Sequence, residues 1–236
     1  MEQSFSGRIA LVTGASRGIG RAAAIALAKA GAHVIAVART AGGLEELDDE
    51  IKKEGGTATL VPLDLKDCAG IDRMAAAIHE RWGRLDALFG NAGILGPLTP
   101  LTHLQPKAWD DIIAINLTAN WRLIRALDPL LRQSDAGRVL MVSSAVARLI
   151  RPYWGGYAIS KAALEMLTFT YAAECNGTNV RANALNPGPT RTRLRAEAMP
   201  GEDPMTLTAP EELTPPILEM LSPACAKNGE LVNFRR

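Results

Sequence analysis

Three side chains in the second half of the sequence have types and a spacing that suit proton transfer. Tyr157 and Lys161 lie four residues apart at the start of a helix predicted over residues 158–174, so they share one face. A phenol with a pKa of about 10 is a poor base at neutral pH, and a neighbouring ammonium favours the phenolate. Ser144 follows a predicted strand and can hydrogen-bond a substrate oxygen from the opposite side. Taken alone, a Tyr-x-x-x-Lys spacing is common by chance.

A glycine-bearing turn, residues 13–20, follows the first predicted strand, residues 9–12. Its glycines at positions 14, 18 and 20 suit a tight turn, a close approach of the backbone to a pyrophosphate, and helix–strand packing without a Cβ. The N-terminus of the next helix adds free N–H groups and a positive dipole end. Glycines alone fit a plain turn equally well, but a place in the first strand–helix unit favours a dinucleotide site.

The end of the second strand, residues 33–37, bears on which dinucleotide binds. An acidic residue there would bind a ribose 2′-hydroxyl, whereas arginine favours a 2′-phosphate. The sequence continues with Ala38 and Arg39, and Arg17 projects from the glycine turn. NADP(H) is therefore favoured and NAD(H) stays possible; the alternative is two solvated surface arginines. Asp64, after the third strand, is placed to meet the adenine edge, or else to cap a helix.

Strand and helix patterns alternate along the whole chain, which predicts right-handed βαβ units. The near-continuous apolar strands suit a parallel sheet that is covered on both faces. We therefore predict an α/β fold: one Rossmann domain over residues 1–236, with a doubly wound, parallel, seven-stranded sheet and helices on both faces. The predicted strands are 9–12, 33–37, 57–61, 85–89, 138–142, 180–185 and 230–234, and the predicted helices 21–30, 44–54, 69–82, 108–131, 158–174 and 211–221.

Composition excludes several classes of function. The chain has 236 residues, 47% of them apolar, and a formal net charge of +1, so no overall field recruits nucleic acid or a membrane surface. Cys68, Cys175 and Cys225 lie far apart, which predicts neither a disulfide framework nor a metal site but buried thiols in a reducing cytosol. The N-terminus lacks an apolar leader, and the apolar runs are too short to span a bilayer. We expect a soluble, cytoplasmic protein.

Several ordered motifs together resemble the short-chain dehydrogenase/reductase family of the bacterial oxidoreductase type, over essentially the whole length. A serine thirteen positions before the tyrosine is the family's usual interval, which selects Ser144 over Ser143. The family's Asn-Asn-Ala-Gly has Gly90 in place of its first asparagine. The motifs are residues 13–20, Asn91-Ala92-Gly93, Asn116, Ser144, Tyr157, Lys161 and Asn186-Pro187-Gly188.

The resemblance implies a role for each site residue. Tyr157 would be the acid in reduction and the base in oxidation, Ser144 would polarise the carbonyl, and Lys161 would hold the nicotinamide ribose and lower the tyrosine pKa. Asn116 would anchor a water that links Lys161 to solvent; its alternative is an asparagine that bonds locally inside a helix. Asn91 would brace the sheet. The implied cofactor-binding residues are Gly14, Ser16, Arg17, Gly18, Ile19, Gly20, Arg39, Asp64, Leu65, Asn91, Ala92, Gly93, Tyr157, Lys161, Pro187, Gly188, Thr190 and Thr192.

The segment 191–222 is expected to cover the substrate with a loop and a helix. Its arginines at positions 191, 193 and 195 suit an anionic or carrier-bound substrate, or else form a solvated face or hold cofactor phosphates. Leu95, Tyr153 and Trp154 are expected to flank the pocket and make it apolar.

Assembly is expected through the long helix and the catalytic helix, as a homodimer or homotetramer. Trp109 and Trp121 lie in the long helix, which packs against a partner subunit in the family. The sequence ends without the family's usual glycine-rich tail, which puts the tetramer in doubt.

The favoured function is an NADPH-preferring reduction of a 3-oxoacyl compound or another ketone, or oxidation of the matching secondary alcohol. An alternative is a catalytically inactive NAD(P)-binding regulator or redox sensor, which retention of Ser144, Tyr157, Lys161 and Asn116 disfavours. A sugar-nucleotide epimerase or dehydratase needs a larger C-terminal substrate domain than the about 50 residues after Gly188 allow.

Overall fold

Seven parallel strands form one sheet in the computed structural model, which describes residues 5–234. The strand order is β3-β2-β1-β4-β5-β6-β7, and every pairing is parallel. The predicted doubly wound, seven-stranded sheet is therefore confirmed. Its strands are β1 (Ile9–Thr13), β2 (His33–Ala38), β3 (Thr57–Pro62), β4 (Ala87–Gly90), β5 (Arg138–Val142), β6 (Arg181–Asn186) and β7 (Leu231–Asn233).

Side chains alternate in direction along the central strands and pack into two hydrophobic cores, one on each face of the sheet. Leu11 and Val12 are neighbours in β1, yet they belong to different cores because successive strand residues point to opposite faces. The described α-helices are α1 (Gly18–Lys29), α2 (Ala41–Lys53), α3 (Cys68–Trp82), α4 (Pro106–Ile113), α5 (Ala119–Gln133), α6 (Gly155–Glu174), α7 (Arg193–Ala198) and α8 (Thr214–Leu221). Among the described helices, none is long and apolar enough to cross a membrane.

The long helix predicted over residues 108–131 is divided. The chain forms α4, then a π-helical segment over Ala114–Thr118, and then α5. Asn116 lies in the π segment, and the side chain of Asn120 donates to its carbonyl at 2.9 Å. A π segment inserts residues into the helical ladder and is often found at functional sites. Hydrophobic periodicity continues through it, which is why the sequence pattern predicted one helix.

The chain from 190 to 208 leaves the sheet and returns to its starting point. Thr190 and Thr208 are both buried and form an isolated parallel bridge. The N–H of Arg191 donates to the Thr208 carbonyl at 2.9 Å, and the N–H of Thr208 donates to the Pro189 carbonyl at 3.3 Å. We call this closure the neck. It closes a loop over residues 191–207, which is the first part of the substrate-covering segment predicted over 191–222, and α7 and a one-turn 3₁₀ helix at Pro204–Thr206 lie within this loop.

Candidate active site

A cavity of about 1200 Å³ opens at the carboxyl ends of the central strands. This is where open α/β sheets bind ligands. Of the site residues predicted from the sequence, all line the cavity except Gly20 and Asn116. The lining set is Gly14, Ser16, Arg17, Gly18, Ile19, Arg39, Asp64, Leu65, Asn91, Ala92, Gly93, Ser144, Tyr157, Lys161, Pro187, Gly188, Thr190 and Thr192.

The glycine turn is held close to β4 by Asn91. Its Nδ2 donates to the Thr13 carbonyl at 3.0 Å and lies 3.4 Å from the Gly14 carbonyl. A Cβ on Gly20 would lie 2.3 Å from the Gly14 oxygen and 2.5 Å from Asn91 Nδ2, so no larger residue fits there. Gly14 and Gly18 have φ values of +65° and +55°, which L side chains rarely adopt. Gly20 therefore packs behind the turn, while Gly14 and Gly18 shape its surface.

The start of α1 fits the pyrophosphate of a dinucleotide. Among residues 5–234 no side chain caps this helix, and its first turn contains no acidic residue. Its leading N–H groups therefore lack an intrahelical or side-chain acceptor, and the dipole is positive at this end. Thr192 packs against the turn, since a Cβ on Gly18 would lie 3.3 Å from its Cγ2.

Arg17 and Arg39 both line the cavity and are both exposed. Between residues 5 and 234 neither takes part in an ion pair, whereas nearby Arg21 is paired with Glu50. Two unpaired guanidinium groups beside the turn favour an anionic group there. Asp64 does not cap the next helix: α3 is capped by Asp67, whose side chain accepts from Gly70 N at 2.8 Å. The alternative that Asp64 caps a helix was therefore wrong, and Asp64 lies in the cavity lining.

The structure brings Ser144, Tyr157 and Lys161 together. Helix α6 begins at Gly155, three residues before the predicted start, so Tyr157 lies in its first turn. Tyr157 and Lys161 are buried, and Lys161 Nζ lies 5.8 Å from the Tyr157 ring centroid. Lys161 Nζ donates to the Val142 carbonyl at 2.7 Å, and the Ser144 hydroxyl lies close enough to that of Tyr157 to act on its pKa. This is the geometry that a general acid with an oriented oxygen-binding partner needs.

Burial sets the acid strengths of these groups. It raises the pKa of Tyr157 to about 12, although the hydrogen bond from Ser144 acts in the opposite direction. Burial also lowers the pKa of Lys161 to about 8. The sequence led us to expect a lowered tyrosine pKa, and the structure shows the opposite net direction because desolvation is the larger effect. At neutral pH Tyr157 is therefore a phenol that can donate a proton.

Asn116 is fully buried and lies behind the cavity lining. Its Oδ1 accepts from Ile94 N at 2.8 Å, and its Nδ2 donates to the Ile94 carbonyl and to Ser160 Oγ, both at 2.9 Å. These partners lie 22 and 44 residues away in sequence, so the alternative of a locally bonded helix asparagine was wrong. A Cβ on Gly93 would lie 3.3 Å from Asn116 Oδ1 and 3.4 Å from Lys161 Nζ, so this glycine lets both side chains approach the backbone.

A small apolar cluster surrounds Tyr157 on the side where a substrate would lie. Leu95, Val146 and Ala198 are buried with it, and the centroids of the Trp154 and Tyr157 rings are 6.4 Å apart. Leu95 and Trp154 line the cavity as predicted. Tyr153 does not: it has φ +73°, is 60% exposed and lies outside the cavity lining, so that expectation was wrong.

Two of the three arginines in the covering segment are neutralised by neighbours. Arg195 donates from Nε and Nη2 to the two oxygens of Glu202, at 2.5 and 2.6 Å, and Arg193 Nε donates to Glu197 at 2.8 Å. Arg191 has a contact of 3.5 Å to the sulfur of Met205. The ion pairs hold α7 and the turn after it, which favours a structural reading for Arg193 and Arg195.

Two supporting residues were not singled out from the sequence. Thr13 Oγ1 accepts from Asn91 N at 3.0 Å and Ala92 N at 3.1 Å, which joins β1 to the loop after β4. Ser160 connects Asn116 to α6 and donates to the Tyr157 carbonyl at 2.8 Å. Thr13 begins the glycine motif and Ser160 precedes Lys161, so the only available signal was adjacency to a motif.

Known proteins are similar to this chain in sequence and in fold. A family model described as short chain dehydrogenase matches residues 8–203. An uncharacterized oxidoreductase, YciK of Escherichia coli K12, is 41% identical over 88% of this chain and 83% of its own length. A Mycobacterium tuberculosis protein named as an uncharacterized NAD-dependent oxidoreductase is 35% identical over 78% of this chain and 72% of its own. A short chain dehydrogenase of Shigella flexneri, solved in complex with NADP, superimposes with a TM-score of 0.95 at 38% identity and 99% coverage of both chains.

Proposed function

Because the chain belongs to the short-chain dehydrogenase family, we propose that it moves a hydride between NADP(H) and a ketone or secondary alcohol. The observation that carries the proposal is the meeting of Ser144, Tyr157 and Lys161 in one cavity with an uncapped, glycine-lined helix start. The apolar cluster around Tyr157 suits a small carbonyl compound with an apolar body.

Each side chain has one task in the reduction. The bound nicotinamide supplies the hydride. Tyr157 donates its phenolic proton to the substrate oxygen, and Ser144 holds that oxygen beside the phenol. Lys161 holds the nicotinamide ribose, and the backbone bond to Val142 fixes its ammonium. Asn116 orients the segment at Ile94 and, through Ser160, the first turns of α6. In the oxidation Tyr157 accepts the proton instead.

NADPH is the preferred cofactor in this proposal. The unpaired Arg17 and Arg39 would bind the 2′-phosphate, and the Shigella relative was solved with NADP. The mycobacterial relative is named as NAD-dependent, so the two cofactors have to be compared directly. Fluorescence titration should give a lower Kd for NADPH than for NADH, and Arg39→Asp should reverse the order. Equal affinities would contradict this preference.

The deciding experiment replaces the proposed acid. With NADPH and a panel of ketones, the wild-type protein should consume NADPH, and Tyr157→Phe should lower kcat by about 10²- to 10⁴-fold. Tyr153→Phe is the matched control, because that side chain lies outside the cavity. If wild-type protein binds NADPH but turns over no ketone or alcohol, the inactive regulator becomes the better description.

Assembly and compartment complete the proposal. A second copy would pack on α5 and α6, where Trp121, Ile159 and Met166 expose 46%, 42% and 67% of their surface. We propose a reducing cytoplasm as the compartment. Cys175 and Cys225 are buried thiols, as predicted, whereas Cys68 is only partly buried.

A further inference from the structure

Glu165 is a buried carboxylate for which the proposed reaction has no use. It lies in α6 and is 5% exposed. Ser143 Oγ donates to its Oε1 at 2.5 Å, and Arg148 Nε donates to its Oε2 at 2.8 Å. Burying a charged group is unfavourable unless partners satisfy it. Here one partner is a neutral hydroxyl and the other a cation, one on each oxygen.

The two partners of Glu165 lie on either side of Ser144. Ser143 precedes it at the end of β5, and Arg148 follows the one-turn 3₁₀ helix at Ala145–Ala147. Ser144 has an extended backbone, and Val146 N approaches its hydroxyl oxygen only at 3.5 Å. Its own local contacts therefore hold it weakly. The carboxylate of Glu165 joins the two ends of the turn that carries Ser144.

The same helix face carries the other two reacting groups. Glu165 lies one helical turn beyond Lys161 and about two turns beyond Tyr157, so the three side chains project from adjoining positions. The position of the Ser144 hydroxyl relative to Tyr157 thus depends on how the turn sits on α6. We infer that Glu165 is a positioning residue that fixes Ser144 against Tyr157 through Ser143 and Arg148. The inference rests on the proposed function of Ser144.

A purely structural role for Glu165 predicts a different outcome, and the chain offers a control for it. Asp128 in α5 is also a carboxylate with two partners: Arg132 Nε lies 2.9 and 2.8 Å from its oxygens, and the Tyr171 hydroxyl donates at 2.8 Å. Asp128 is not part of the cavity lining. Asp128→Asn therefore reports the effect of weakening a paired carboxylate away from the site.

The first test separates rate from stability. Glu165→Gln keeps an acceptor for Ser143 but removes the charge that Arg148 pairs with, and Ser143→Ala removes a single hydroxyl. We expect kcat for ketone reduction to fall about 10- to 100-fold in both, the scale of a misplacement near 1 Å, with the Kd for NADPH unchanged. Asp128→Asn should lower Tm and leave kcat unchanged. Wild-type kcat in both site variants would overturn the inference.

The second test asks whether Glu165 acts through Ser144. In a Ser144→Ala background, Glu165→Gln should cause no further loss of kcat, because the hydroxyl that it positions is absent. An equal loss in both backgrounds would assign Glu165 a separate or general structural role. If Glu165→Gln does not fold, Ser143→Ala carries the same comparison.

The third test needs no turnover, so it separates this inference from the proposed function. The chain has three tyrosines, and the ¹³Cζ NMR resonance of Tyr157 can be assigned with Tyr157→Phe. This resonance is sensitive to the groups that act on the phenol, of which Ser144 is one. It should shift in Glu165→Gln as it does in Ser144→Ala, and not in Asp128→Asn. An unchanged resonance in Glu165→Gln would contradict the inference even if the wild-type protein turned over no ketone.

Discussion

Tyr157 and Lys161 depart from their ordinary pKa values in opposite senses for a single reason. Both are buried, and burial disfavours the charged form of each. For the phenol this preserves the proton that the proposed reduction would consume. For the lysine it lowers the pKa to about 8, so the ammonium is lost as the pH rises through mildly alkaline values.

NADPH affinity should therefore depend on pH through Lys161. Between pH 7 and 9.5 the ammonium that would hold the ribose is deprotonated, and a hydrogen bond from a charged donor contributes about 1.5–3 kcal/mol. We expect the Kd to rise about 10-fold or more over that range in a fluorescence titration. Lys161→Met should bind weakly at pH 7 and show no further loss at pH 9.5. An identical rise in the variant would assign the effect to another group.

At the scale of residues, the sequence predicted most of the side chains that line the cavity, but it did not predict the hydrogen-bond partners of some of them. The sequence identified Ser144, Tyr157 and Lys161 because Tyr157 and Lys161 lie four residues apart in one helix and Ser144 follows the end of one strand. The partners of Asn116 could not, because Ile94 and Ser160 become neighbours only after the sheet and α6 have packed. Tyr153 was misplaced because adjacency to Trp154 says nothing about a backbone that turns at φ +73°.

At the scale of elements, the turn between β1 and α1 depends on the absence of side chains. Gly20 packs on the Gly14 carbonyl, whereas Gly42 in α2 has open space where a Cβ would be. These two helical glycines form a natural comparison.

Opposite effects are expected from alanine at these positions. Gly20→Ala should lower the free energy of unfolding by about 1–3 kcal/mol and weaken NADPH binding, because the turn has to move. Gly42→Ala should raise the free energy of unfolding by about 0.5–1 kcal/mol and leave NADPH binding unchanged. Urea denaturation and cofactor titration measure both. A Gly20→Ala variant with wild-type stability and affinity would show that the close approach is not required.

Strands were predicted better than helix boundaries, for a physical reason. All seven strands lie where the sequence predicted them, and the five inner strands are largely buried in a covered sheet, which is why their apolar runs are so clear. The π segment between α4 and α5 contains Asn116, whose side chain bonds to the loop at Ile94, and hydrophobic periodicity carries no signal of that long-range contact. Helix α7 escaped prediction because it has six residues, and its cap Thr192 and its ion pairs stabilise it locally.

At the scale of the whole molecule, the exposed apolar residues are unevenly distributed. Among the described residues, Trp121 projects from α5 and Ile159 and Met166 from α6, whereas the other exposed large apolar side chains lie in loops and one-turn helices: Leu101, Leu149, Ile150, Tyr153 and Met205. Arg122 and Arg125 lie 5.8 and 5.9 Å from the Trp121 ring, which leaves an aromatic surface flanked by cations.

Dimerisation is expected to depend on that surface. Trp121→Glu should lower the mass measured by analytical ultracentrifugation from a dimer to a monomer, because it places a charge in an apolar contact. Met205→Glu, an equally drastic change at a 74% exposed residue of the covering segment, should leave the mass unchanged. A wild-type protein that sediments as a monomer at micromolar concentration would contradict the proposed assembly.

The neck at Thr190 and Thr208 has a consequence for how such a chain can change during evolution. Backbone hydrogen bonds at the neck join the two ends of the loop. The entropic cost of closing the loop therefore varies only slowly with the number of residues between Thr190 and Thr208. Residues 193–207 therefore form an exchangeable cassette. A chimera that carries the corresponding segment of another family member should keep its Tm within a few degrees and should keep its NADPH affinity. Its order of preference among ketones should follow the protein that donated the segment. If the order of preference stays that of the recipient, selectivity resides in the cavity residues carried by the sheet instead.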